Sequence, residues 1–220
     1  MPLYPLGISR SRDLPRVTEP STAGQIAVRW VLADELAGAV IDATQVSLEP
    51  LQHAAALAAI HRQICVLPMR FHAVPSDEPE IRSLLETRRP DLLQRLDDLD
   101  GACEMGLRIV LPKVPSAEGD PSQHGSPPSS YLHDRRAYYQ RQDSIGEQAR
   151  STTERLVREL SSTFRDWQRL TPSPPGVVRL AFLVPRDRVE SFRRCLQASL
   201  AEHAGGQWTL LGPWPPYSFV

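Results

Sequence analysis

Long hydrophobic runs are missing from this chain. No stretch approaches the roughly 18 apolar residues of a membrane-spanning helix, so the sequence predicts no transmembrane segment. An excess of charge of one sign is missing too. Lys and Arg total 25 against 26 Asp and Glu, a formal net charge of −1, which argues against a dedicated nucleic-acid binder with its basic face. Cysteine is scarce: Cys65, Cys103 and Cys195 form no CxxC pair and are odd in number. Reduced thiols in a cytosolic protein are expected, not a disulfide framework. The opening MPLYPLGISRSRD has no basic patch followed by an apolar run, so no secretory signal is expected. No GxGxxG, GxxxxGK[ST], GxSxG or HExxH motif occurs. The common nucleotide, esterase and zinc-protease readings fall at the motif level, leaving only an enzyme with scattered residues.

What is abundant is proline, 21 of 220 residues, roughly twice the usual usage of about 5%. The prolines cluster, which marks loops and linkers. The hydrophobic fraction of 41% is enough for a packed core, and the length suits one large domain or two small ones.

Residues 3–8 read as a first strand. Pro5 lies inside it and makes it an edge strand or a bulged one. Residues 9–24 read as a loop. Residues 25–34 and 36–44 are two apolar runs parted by Asp34-Glu35, a β-hairpin pattern. Residues 51–64 follow Pro50 with helical periodicity, and 65–71 (CVLPMRF) read as a strand interrupted by Pro68. A second helix is capped by Ser76 or Asp77 and runs to about Leu99, with a break at Pro90. Residues 106–112 are another strand. Alternating strands and helices predict an α/β (α+β) fold close to a ferredoxin-like plan.

Residues 113–129 (KVPSAEGDPSQHGSPPS) are the clearest boundary, a linker or long surface loop. Residues 130–170 read as a long helix or a helical pair. Ile145, Ala149, Thr152, Leu156, Leu160, Thr163, Trp167 and Leu170 form its stripe, and Gly146 is a candidate break. A central strand at 177–185, a helix at 186–203 closed by Gly205-Gly206, and a last strand at 207–211 complete the chain. The expected organisation is a domain over 1–112, a linker over 113–129, and a helical C-terminal domain with two strands and an apolar tail over 130–220.

The scattered polar residues favour no chemistry. His61, Cys65 and His72 suggest a metal site only if the helix continued through Cys65; a buried cysteine and surface histidines are the simpler reading. Asp97, Asp98 and Asp100 read as a solvated turn, and Glu104 has no visible acid/base partner. Arg10, Arg12 and Arg16, or Arg135 and Arg136, are able to touch phosphate, with a solvated face as the default. An enzyme here would need Arg70, Glu104 and a histidine to converge in one pocket. No catalytic residue, metal or cofactor is expected.

The last ten residues, LGPWPPYSFV, are the strongest signal. Pro213, Pro215 and Pro216 each fix φ and stiffen the ribbon toward extended geometry. Trp214, Tyr217 and Phe219 offer large apolar contact area. Such a tail docks on its own domain or on a partner, so Trp214, Pro215, Pro216, Tyr217 and Phe219 are the candidate partner-binding or tail-docking residues.

Four segments resemble the F/L-type gas vesicle accessory proteins. Residues 64–71 (ICVLPMRF), 103–108 (CEMGLR) and 181–189 (AFLVPRDRV) are similar to segments of that family, and 212–220 (GPWPPYSFV) resembles its tail nearly residue for residue. The first 45 residues match less well, because Pro5 interrupts what is usually a smooth strand. The resemblance implies a ferredoxin-like N-terminal domain and a C-terminal α/β domain with long helices. It implies a non-enzymatic accessory role: binding the small hydrophobic shell protein, limiting its aggregation or helping to nucleate the shell. The implied partners are the shell protein and other gas vesicle accessory proteins, with no nucleic acid and no membrane. The implied location is the gas vesicle and the cytoplasm. A minor structural component of the shell, or an enzyme on a ferredoxin-like scaffold, are the alternatives.

Overall fold

The computed structural model describes residues 2–16, 27–43, 48–71, 77–112, 128–203 and 206–220. The expected linker at 113–129, the loop at 9–24, Ser76, His72, His124 and Gly205 lie wholly or partly outside the described residues. Within them the fold is mixed α+β, with eight strands in two four-stranded sheets and five α-helices.

The first sheet contains β1 (Leu3–Arg10), β2 (Arg29–Ala33), β3 (Leu36–Asp42) and β4 (Leu67–Pro68), in the order β2-β3-β1-β4. All three pairs are antiparallel. The β2–β3 hairpin turns at Asp34, whose φ of 48° is a left-handed conformation that Asp adopts more readily than most residues. This order is compatible with a ferredoxin-like plan. However, β1 and β3 run antiparallel, and the described residues between β1 and β2 hold only the 3-10 turn Ser11–Arg16.

Of the two expectations for β1, the edge position is not found, since β1 lies between β3 and β4, whereas the bulged strand is: its register on β3 shifts between Pro5 and Gly7. Pro5 is tolerated because β4 pairs only with Gly7 and Ile8, and the β1–β3 register shifts between Pro5 and Gly7. The Pro5 carbonyl accepts from His53 Nε2 at 3.2 Å. Gly7 is required where it stands. A Cβ there would lie 2.6 Å from Val66 Cγ2 and 2.7 Å from the Leu67 carbonyl oxygen. The expected strand at 65–71 shortens to two residues, continued by Met69 N–H donating to the Leu6 carbonyl at 2.8 Å.

Helix α1 (Pro50–Gln63) starts on Pro50, with Gln52 Oε1 accepting from the Glu49 N–H at 2.9 Å. Helix α2 (Glu78–Thr87) is capped by Asp77, whose Oδ1 accepts from the Glu80 N–H at 3.0 Å. Arg88 separates it from α3 (Arg89–Leu99), which carries Pro90 in its first turn. Leu36 and Val40 of β3 pack with Ile81, Leu85, Leu92 and Leu96, while Ala39 and Ile41 pack with Ala56, Leu57 and Ile60. The two sets alternate along the strand, so α1 and the α2–α3 pair cover opposite faces. That double cover explains the unbroken apolar run in β3.

The second sheet contains β5 (Ala102–Val110), β6 (Asp166–Arg169), β7 (Val177–Pro185) and β8 (Gln207–Trp214), in the order β6-β7-β5-β8. The central position expected for 177–185 is observed, and β7 is almost wholly buried. Helix α4 (Pro128–Leu160) passes through Gly146 without a break and stops ten residues before the expected end. Hydroxyls explain the stop. Ser161 Oγ donates to the Arg158 carbonyl at 2.8 Å, and Thr163 Oγ1 donates to the Leu160 carbonyl at 2.7 Å. Thr163, Trp167 and Leu170 therefore leave the helical stripe, and Trp167 enters β6. Helix α5 (Val189–His203) begins after a 3-10 turn at Arg186–Arg188 and buries Phe192, Leu196 and Leu200. Phe182 and Phe192 are fully buried, their centroids 5.2 Å apart, and Phe164 lies 5.2 Å from Phe182.

The chain divides into two compact units. One comprises Met1–Met105, Leu183–Arg186 and Gly212–Val220; the other comprises Gly106–Phe182 and Asp187–Leu211. No helix among the described residues is long and apolar enough to cross a membrane.

Candidate functional site

The C-terminal residues sort with the first unit. Strand β8 runs three residues past its expected end, through Gly212, Pro213 and Trp214. Gly212 has φ of +118°, and a Cβ there would lie 2.6 Å from the Glu104 carbonyl oxygen, so the approach of the tail to β5 needs glycine. The ribbon is not extended throughout. After Pro216 it closes into a 3-10 turn, Tyr217–Phe219, with Phe219 N–H donating to the Pro216 carbonyl at 3.1 Å.

The five singled-out tail residues divide into two groups. Pro215 and Pro216 are buried, and the half-buried Phe219 packs on the cluster of Leu36, Leu67 and Leu92. Trp214 and Tyr217 stay 45% and 41% exposed.

Glu104 fastens this turn and is 8% exposed. Ser218 N–H donates to Glu104 Oε2 at 2.7 Å, and Ser218 Oγ donates to Oε1 at 2.8 Å. Burial pushes the Glu104 carboxyl above its ordinary range, and the two Ser218 donors oppose that rise. Burial, followed by the Glu104 charge, pushes the Tyr217 phenol up. The hydrogen-bond partner of Glu104, Ser218, lies 114 positions away. Neither Arg70 nor a histidine is among the groups that act on it. Sequence spacing carries no signal for such a pair.

The other polar residues separate. His61 is buried, not on the surface, and is 4% exposed. The Arg186 guanidinium covers its ring, with Nη2 at 3.1 Å from Nδ1 and 3.2 Å from Nε2, and donates to the His61 carbonyl. Burial, then the Arg186 charge, lowers the His61 pKa to about 3. Cys65 is half-buried with its thiol pushed up to about 12, and its Sγ donates to the Leu96 carbonyl at 3.6 Å. Among the described residues no three His, Cys, Asp or Glu side chains are grouped to hold a metal. Asp97 pairs with Arg10 at 2.5 Å, and Asp98 accepts from Gln94 at 2.9 Å. Arg10 is thereby drawn off the expected solvated face, its side chain only 13% exposed.

The chain matches the family model described as gas vesicle synthesis protein GvpL/GvpF over residues 3–220. It is 30% identical to gas vesicle protein L of Streptomyces sp. (strain CB03234) over 180 residues, 76% of this chain and 67% of the relative. It is 25% identical to gas vesicle protein F of the same strain over 237 residues, the full length of both. Its fold is similar to the crystal structure of GvpF from Anabaena sp. PCC7120, with TM-score 0.76, 17% identity, and 99% and 95% of the two chains covered. It is similar also to GvpF from Microcystis aeruginosa, with TM-score 0.72, 14% identity, and 99% and 98% covered. The chain therefore belongs to the GvpL/GvpF family of gas vesicle synthesis proteins, and its role lies in gas vesicle formation.

Proposed function

We propose that this protein is a non-enzymatic, cytoplasmic accessory factor that binds the small apolar shell protein of the gas vesicle and acts at the vesicle. It limits shell-protein aggregation or helps nucleate the shell, in company with other gas vesicle accessory proteins. One observation carries the reading: two large aromatic side chains, Trp214 and Tyr217, stand half-exposed on a tail that Pro215, Pro216, Ser218 and Phe219 anchor. Large exposed apolar groups on a soluble chain are a liability unless a partner covers them. Holding Trp214 on the end of β8 and Tyr217 on the 3-10 turn lowers the ordering entropy lost on binding. Buried aromatic anchors dominate the energetics of many interfaces. An unassembled shell subunit offers the matching hazard, apolar surface and strand edges that self-associate.

The test is co-expression with the shell protein. The full chain is expected to keep the shell protein in the supernatant and to co-purify with it. A chain ending at Leu211 is expected to lose both effects. If neither chain retains the shell protein, the function is wrong. If both retain it equally, the tail is structural only.

A further inference from the structure

A second feature of the first unit lies apart from the aromatic tail. A cavity of about 530 Å³ is lined by Arg10, Arg12, Arg62 and Arg186, within the roughly 300–1,000 Å³ range of small-molecule sites. The four arginines come from three places in the chain: the end of β1 with the 3-10 turn after it, the last turn of α1, and the residue after β7. Three carboxylates, Asp13, Asp97 and Asp100, share the walls. Four guanidinium charges thus stand against three carboxylates.

The cations are not used alike. Arg10 Nη2 donates to Asp97 Oδ1 at 2.5 Å and to the Leu93 carbonyl at 3.2 Å. Arg186 is held by neutral acceptors, the carbonyls of His61 and, at 3.4 Å, Arg62. The side chains of Arg12 and Arg62 make no hydrogen bond or ion pair among the described residues. Two cations therefore face a cavity without a bonded partner, beside a third whose position is set by uncharged groups. Ile64, Cys65 and Leu96 add apolar lining beside the exposed Arg12 and Arg62. The Cys65 thiol stays neutral at physiological pH and does not compete as an anion. The planar guanidinium fork matches phosphate and carboxylate in bidentate geometry.

We propose that this cavity binds a small, multiply charged oxyanion clasped by Arg12 and Arg62, with Arg186 as a third donor. The chemistry is shared by phosphate esters and polycarboxylates, and the probes separate the two. The intact chain is titrated calorimetrically with pyrophosphate and, separately, with citrate, at constant ionic strength so that general screening is fixed. At least one probe is expected to bind and to raise the melting temperature. Arg12→Ala/Arg62→Ala should weaken that binding roughly ten-fold or more, with an unchanged circular dichroism spectrum. Arg12→Lys/Arg62→Lys, which keeps the charge and loses the fork, should fall between. Pyrophosphate binding alone assigns the ligand to phosphates, and citrate binding alone to carboxylates. Absence of binding by both, or equal binding by the double alanine variant, overturns the proposal. Shell-protein capture is a separate readout, so failure of one proposal leaves the other standing.

Discussion

Glu104 grips Ser218 with both carboxylate oxygens, at 2.7 Å from the backbone nitrogen and 2.8 Å from the hydroxyl. The pair converts a stiff, apolar chain end into an anchored one. Prolines make the tail cheap to order, Gly212 lets it approach β5, and Glu104 fixes where its 3-10 turn sits. The large aromatic side chains of the tail that still face solvent are Trp214 and Tyr217.

Glu104→Ala leaves the Ser218 N–H and hydroxyl without their acceptors. The expected cost is about 1–3 kcal/mol, read by urea unfolding, with carboxypeptidase digesting the tail faster than in the parent. Glu104→Gln keeps one acceptor and the shape, and is expected to cost less. Equal stability of all three proteins would show that the prolines and Phe219 hold the tail unaided.

Acid should favour the folded state at Glu104 by relieving its buried charge, although the Ser218 bonds themselves prefer the ionised carboxylate. The Glu104 pKa is raised by burial, so the folded protein binds its proton more firmly than the unfolded chain does. The associated stability is fully present below the unfolded value of 4.5 and is lost as pH rises through the folded value. The stability of the parent relative to Glu104→Gln should therefore decline from pH 4 toward pH 7 in paired urea titrations. A relative gain over that interval would contradict the assignment.

His61 acts in the opposite sense. Its pKa falls from 6.5 to about 3 through burial and then Arg186. Its contribution is complete above 6.5 and drains away as pH drops through the window down to about 3, a loss of up to ~5 kcal/mol. His61→Gln should flatten the acid limb of the stability profile. An unchanged limb would show that other groups drive acid unfolding.

Two glycines separate packing from propensity. Gly7→Ala forces a methyl to 2.6 Å from Val66 Cγ2 and is expected to destabilise by about 1–3 kcal/mol. Gly146→Ala meets nothing within 4 Å inside α4 and should stabilise by about 0.5–1 kcal/mol. Thermal unfolding of both variants checks the contrast.

Local patterning made much of the secondary structure legible. The β2–β3 hairpin, the Pro50 start of α1, the Asp77 cap and the buried strand at 177–185 each rest on chemistry within a few residues, and each is present. The misreadings share a cause, which is that tertiary partners decided. Pro5 brings the irregular register expected of a bulged strand but not the edge position, because β4 is only two residues long and leaves it room. Thr163 and Trp167 match the helical spacing, yet hydroxyls at Ser161 and Thr163 take the carbonyls that would continue α4. The Glu104–Ser218 bond and the cavity arginines join residues far apart in the chain, which periodicity does not report. Arg12 was visible as one of three nearby arginines, but its cavity neighbours Arg62 and Arg186 come from other elements.

The most direct test of the account is retention of the shell protein by Trp214→Ala/Tyr217→Ala beside the parent, in a pull-down from co-expressing cells with matched amounts of bait. Both side chains are about half-exposed, so the double variant should lose some stability yet remain folded, which its circular dichroism spectrum checks. The account predicts at least a ten-fold loss of retained shell protein, in keeping with the roughly 2 kcal/mol or more per aromatic hot spot. Parental retention by a folded double variant would contradict it.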